Sequence, residues 1–257
     1  DLLANLGLLN EHTLTALQGA EFRRLDLGPT MDDANGLNLP RGNVMHVFSR
    51  PGWFKNLDTL SFAGGQFRED FDLVHMQSRR QMKKLVLTST GIGNEGVFHL
   101  VSLKHKLRHL DLSDNPKIDD DAIPALILFE NLQYLSIFGT GILMPGLRRL
   151  AAAIQEDERI LDVEIPSICE EYIDNLDKQY LLHPAPPLIT DTTICSLLSK
   201  AALSRNLAGH ADINSSIRCS GTRQEMVERL KNILETRKLD LVVQNMLAGE
   251  DTEAVQE

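Results

Sequence analysis

A chain of 257 residues, 42% hydrophobic and 24% charged, has the composition of an ordinary globular protein, long enough to bury roughly 70–75% of the surface its unfolded form exposes, as one large domain or two small ones. The net charge of −10 excludes wholesale coating of nucleic acid, since backbone binding needs Lys and Arg to release phosphate counterions, and leaves room only for a local basic face. Three scattered cysteines, Cys169, Cys195 and Cys219, with no C-x-x-C pair and no histidine at ligand spacing, exclude a sequence-legible metal site and read as reduced thiols of a nuclear or cytosolic protein.

No apolar run approaches the ~18 residues of a membrane span, and the opening DLLANLGLLNEH lacks the basic start of a signal peptide. Beginning at Asp rather than Met, the chain is expected to be part of a longer protein. Along it the template L-x-x-L-x-L recurs six times, with aliphatic or aromatic substitutions. The copies start at Phe22, Leu57, Met82, Leu107, Leu132 and Ile160, and their central residues fall at 25, 60, 85, 110, 135 and 163. Four successive copies are thus 25 residues apart. The longer first gap holds MDDANGLNLPRGNVMHVFSRPGWF, residues 31–54, which is either a binding loop or a segment whose Trp53 caps the first core layer. After the strands at 85, 110 and 135 come Thr90, Asn115 and Thr140, then Ile92, Ile118 and Ile142. The segments Val97 to Leu103, Ala122 to Phe129 and Leu147 to Ile154 carry apolar residues at helical spacing.

Residues 14–166 resemble the leucine-rich-repeat family, in particular its longer, ribonuclease-inhibitor-like helical repeats. The resemblance implies an α/β solenoid, a curved parallel sheet with helices on its convex side. Each unit, having one short strand and one helix, cannot bury its own leucines and must stack on its neighbours. Alternation along each strand then puts the residues flanking the buried leucines on the concave face. The candidate protein-binding residues there are Arg24, Asp26, Lys84, His109, Asp111, Tyr134, Ser136 and Phe138. Tyr134 and Phe138, beside His109, form the stretch richest in types that anchor interfaces; Phe138 either serves so or packs against a loop or the C-terminal region.

One segment reads differently when taken alone. In LVLTSTGIGNEG, residues 85–96, an apolar run leads into Gly91-Ile-Gly93-Asn-Glu-Gly96, which fits the dinucleotide-loop pattern G-x-G-x-x-G, with Asp111 20 residues beyond Gly91. The same turn recurs at Thr140-Gly141-Ile142 and Gly146, where Leu143 stands in place of the middle glycine. The glycines therefore read as turn residues of a repeat, and no cofactor is expected. No G-x-S-x-G, H-E-x-x-H or G-x-x-x-x-G-K-[ST] is present, and the aspartates at 114 and 119–121 lack the glycine of a calcium loop.

Beyond Ile165, residues 168–182 read as an amphipathic helix capping a repeat domain of residues 1–182. His183-Pro-Ala-Pro-Pro187 marks a Pro-rich linker, 183–189. A small all-α module follows at 190–248, then an acidic tail at 249–257. Thr222 with Glu225 three residues on forms a capping box for a helix whose apolar face includes Met226, Leu230 and Leu234. The stretch Ser220-Gly-Thr-Arg-Gln-Glu-Met-Val-Glu-Arg-Leu230 resembles the SAP module, which implies DNA contact through Gly221, Thr222, Arg223 and Arg229 at a helix start; the other reading is a packing or partner-binding bundle. The function expected is a non-catalytic interaction scaffold with a protein partner, and with DNA as a second partner where the SAP resemblance holds. The alternatives are a ubiquitin-ligase substrate-recognition subunit, hinted at by Leu2 to Leu9, and a nucleotide-dependent enzyme.

Overall fold

The computed structural model describes residues 9–31, 41–67 and 69–248. The leucines at 2–8, part of the segment 31–54 and the acidic tail lie outside these residues. The chain divides into two compact units, Asp1–Ser167 and Ile168–Glu257.

The first unit is α/β. Six three-residue strands, β1 (Arg24–Asp26), β2 (Thr59–Ser61), β3 (Lys84–Val86), β4 (His109–Asp111), β5 (Tyr134–Ser136) and β6 (Asp162–Glu164), form one parallel sheet in chain order. Register follows the repeat: Leu25, Leu60, Leu85, Leu110, Leu135 and Val163 are successive partners. Parallel neighbours need a crossover, and here it is helical. One helix, α1 (Glu11–Ala16), precedes β1; the crossovers include α2 (Gly28–Met31), α3 (Arg41–His46), α4 (Asn94–Leu100), α5 (Ile123–Ile127) and α6 (Met144–Glu156), supplemented by 3-10 turns such as Asp70–Ser78. The core is built from the two faces that meet: Leu60, Leu85 and Leu110 from strands, Leu87, Leu112 and Ile137 just past strand ends, and Val97, Leu100, Ile123, Leu147 and Leu150 from helices, all at most 1% exposed.

Between strand and crossover the backbone turns with no ladder partner, and Asn115 fills that gap. Wholly buried, its side-chain amide donates to the carbonyls of Leu87 at 2.7 Å, Leu112 at 2.9 Å and Ser113 at 3.0 Å. Its oxygen accepts from the amides of Thr90 at 3.0 Å and Gly91 at 2.8 Å. Thr90 and Thr140, at the equivalent positions, each donate a hydroxyl at 2.7 Å to the carbonyl three residues back, Leu87 and Ile137.

Two readings of the repeat need correction. In the sixth copy Ile160 is 76% exposed and Leu161 takes the buried place, a slip of one residue that follows the longer 28-residue spacing. At the other end, Trp53 is only half-buried. It is the neighbouring Phe54 that sits in the core, with φ of 46°, against Phe22 and Phe48 at ring separations of 5.3 and 6.0 Å. Trp53 packs edge-on against Phe54, ring centroids 6.1 Å apart, and lies under the Arg50 guanidinium, 4.5 Å from its ring.

In the second unit the described elements are helical: α7 (Ser167–Asp174), 3-10 turns at Leu176–Lys178 and Thr192–Leu197, α8 (Lys200–Ala211) and α9 (Arg223–Ala248). Its apolar core is Cys195, Leu203, Leu207, Met226, Leu230 and Leu234. Residues 168–182, read from the sequence as a cap on the repeats, belong to this unit by their contacts. Tyr172 and Tyr180 donate their hydroxyls to the buried Asp240 carboxylate of α9 at 3.1 and 2.5 Å, Leu181 donates its amide to His210 at 3.2 Å, and Arg237 donates to the Leu182 carbonyl at 2.7 Å. The Pro-rich stretch is also held, since Ile189 donates its amide to Asn206 at 2.8 Å. No helix among the described residues is long and apolar enough to cross a membrane.

Candidate interaction surface

The face of the sheet opposite the leucines carries most of the side chains singled out from the sequence. Parallel register sets His109 beside Tyr134, and their rings stack with centroids 4.1 Å apart and planes 9° from parallel. Below them the same register aligns Asp111, Ser136 and Glu164. Burial pushes the Tyr134 phenol up to about 12, and its hydrogen bond to the Glu164 carboxylate adds to the shift. Burial, then the Lys84 ammonium, holds His109 below the usual imidazole range against the opposing pull of Asp111 and Glu164. The ring is therefore neutral at pH 7 and stacks as an uncharged plate. Phe138, just past β5, is 45% exposed.

Lys84, His109, Asp111 and Tyr134 are thus brought together on β3 to β5, with Phe138 just past the end of β5. Ser136 shares their strand but is 1% exposed, covered rather than presented. Arg24 and Asp26 lie on β1, beyond β2 from this group, and Asp26 turns back to accept the Gly28 amide at 3.0 Å.

In the stretch 91–96 the glycine amides are already occupied, that of Gly91 by Asn115. The Asp70 carboxylate, from the preceding crossover, accepts from Gly93 at 3.0 Å and Gly96 at 2.8 Å. Fifty residues on, Asp120 accepts from Leu143 at 2.8 Å and Gly146 at 3.1 Å. The position of Gly93 and Leu143 contributes an amide, and a carboxylate takes the place a phosphate would need. Asp70 and Asp120 are functional to the fold and were missed from the sequence, although their spacing of 50 matches the recurring turn. Among the described residues no cluster of His, Cys, Asp and Glu could hold a metal.

At the start of α9 the capping box forms: Thr222 donates its amide to Glu225 at 2.8 Å, and Glu225 donates its own to the Thr222 hydroxyl at 3.3 Å. Gly221 has φ of 142°, outside the range of ordinary side chains. The two arginines implied as DNA contacts hold backbone instead. Arg223 donates to the carbonyls of Ser196 and, at 3.1 Å, Leu198; Arg229 donates to Arg218 at 2.7 Å and Ser220 at 3.1 Å. Arg229 ties the loop before α9 to its second turn, and Arg223 ties the start of α9 to the segment before α8.

Residues 104–126, which run from the approach to β4 through most of α5, match the Leucine Rich repeat family. No curated protein matches the chain. A leucine-rich repeat implies a role in protein–protein interaction rather than catalysis, and the sheet register extends the geometry of the matched unit to its neighbours on both sides.

Proposed function

We propose that the chain is a non-catalytic interaction scaffold that holds a protein partner on the exposed face of its sheet, in a solenoid of leucine-rich repeats. The observation that carries this reading is the stacked His109–Tyr134 pair, with Phe138 exposed further along the same segment. Rigid aromatics held on strands give contact area with little entropy left to lose, the property of interface anchors. The scattered cysteines Cys169, Cys195 and Cys219 fit a reducing nuclear or cytosolic setting. A DNA contact through the C-terminal helices has less behind it, because Arg223 and Arg229 are engaged with carbonyls.

Affinity capture with the intact protein, run beside Tyr134→Ala and Phe138→Ala, tests the proposal. A partner retained by the intact chain should bind each variant more weakly by on the order of 2 kcal/mol, the loss of a central anchor. Identical capture by all three proteins would remove this face from the function.

A further inference from the structure

The charge of this acidic chain is unevenly spread. Residues 79–108 contain seven Lys or Arg and one acidic residue, Glu95, so this stretch carries +6 and the remainder of the chain −16. The fold gathers most of these cations at one place, the turns that lead into the N-terminal ends of β3 and β4. Arg80, Lys83, Lys106 and Arg108 are exposed there, and Lys83 is directly beside Arg108 because its carbonyl accepts the amides of Arg108 at 2.8 Å and His109 at 3.0 Å. Among the described residues the ion pair at this edge is Lys83 with Asp58, at 3.9 Å; Arg80, Lys104, Lys106 and Arg108 have no carboxylate partner. Arg79 is the exception to this exposure. Its guanidinium is spent on the carbonyls of Phe48, Trp53 and Arg50.

Between these cations the surface is concave. A cleft of about 420 Å³ is lined by Arg80, Gln81, Val101, Leu103, Lys104 and Lys106, and a second of about 260 Å³ shares Arg80 and Gln81 with it. The larger cleft is within the size range of ligand pockets. Its floor is mostly apolar, set by Val101 and Leu103, while its rim is cationic. Its lining holds no Phe, Tyr or Trp, and His105 is the one ring along it, so it lacks the row of aromatic platforms on which successive bases stack.

We propose that this edge is a second docking site, for an acidic protein segment that places an aliphatic side chain in the cleft between flanking carboxylates. The cations supply attraction and orientation, the apolar floor supplies the burial, and the pairing is that of opposite potentials across an interface. The site is separate from the aromatic sheet face and does not depend on what that face binds.

The test is fluorescence anisotropy of the whole chain with three labelled probes: a 12-residue peptide of Glu and Asp with a central Leu, the same peptide with Gly for Leu, and an oligothymidylate of matched charge. The leucine peptide should bind best, and its affinity should fall about tenfold between low and physiological salt, as exposed charge pairs are screened. Arg80→Glu and Lys106→Glu, each at an exposed position, should each weaken it about tenfold while melting temperature is unchanged. Tyr134→Ala should leave it unaffected, which separates this site from the sheet face. Absence of peptide binding, tighter binding of the oligothymidylate, equal binding of the glycine peptide, or indifference to both charge reversals would each overturn the proposal.

Discussion

Asn115 shows how much a repeat can rest on one side chain. Its amide group answers three carbonyls and its oxygen two backbone amides, all where the chain leaves the sheet and water has no access. Replacing it with Ala strands several buried polar groups at once, each worth roughly 1–3 kcal/mol when left unsatisfied. Asn115→Ala should therefore lower stability by on the order of 3 kcal/mol in urea denaturation. Asn115→Thr should recover part of the loss, because the Thr90 and Thr140 hydroxyls already satisfy the equivalent carbonyls. Equal stability of Asn115→Ala and the unaltered protein would show that the turn does not need the side chain. The position was legible in the sequence because it recurs with the strands. The stacked rings of His109 and Tyr134 were legible as neighbours for the same reason, since a 25-residue period fixes register. What the period could not tell was that Ser136 would be covered, or that Asp26 would be drawn into its own turn.

At the scale of the element, the strands were readable and the caps that join one repeat to the next were not. L-x-x-L-x-L is a local pattern, set by alternation within six residues. The Asp70 cap acts 23 to 26 residues away from the crossover after β2, and no local signal marks it. The same holds for Asp240, which occupies a buried position of α9 and takes its donors from tyrosines 60 and 68 residues back. The cap does, however, separate a structural glycine turn from a cofactor loop. Gly93 has extended backbone, φ of −120°, and a methyl there would stand 3.3 Å from the Asp70 carboxylate; Leu143 already occupies the corresponding place. Gly91 has φ of 76°, where an L side chain costs roughly 1–2 kcal/mol. Gly93→Ala should accordingly cost less than Gly91→Ala, which adds the strain of a positive φ. Neither variant nor the unaltered protein should gain thermal stability from NAD or ATP. A nucleotide-dependent rise in melting temperature, abolished by Gly93→Ala, would restore the cofactor reading.

At the scale of the whole molecule, the question is where the second unit begins. The Pro-rich run at 183–187 looks like a boundary because proline ends helices, yet ending a helix is not the same as ending a set of contacts. Tyr172 and Tyr180 lie before the prolines and donate to Asp240, 68 and 60 residues further on. A fragment starting at residue 183 would keep the buried Asp240 but lose both hydroxyls, along with the Leu181 amide on His210 and the Leu182 carbonyl on Arg237. Leaving a buried carboxylate short of its donors costs on the order of 3 kcal/mol, a large part of what a domain of this size has. Residues 168–257 should thus unfold cooperatively on heating, followed by circular dichroism, whereas residues 183–257 should melt well below them or fail to fold. In the longer fragment Tyr180→Phe alone should cost about 1.5–3 kcal/mol, the range for a hydrogen bond to a charged group. Equal melting of the two fragments would return the boundary to the prolines and reduce the tyrosine pair to a surface detail.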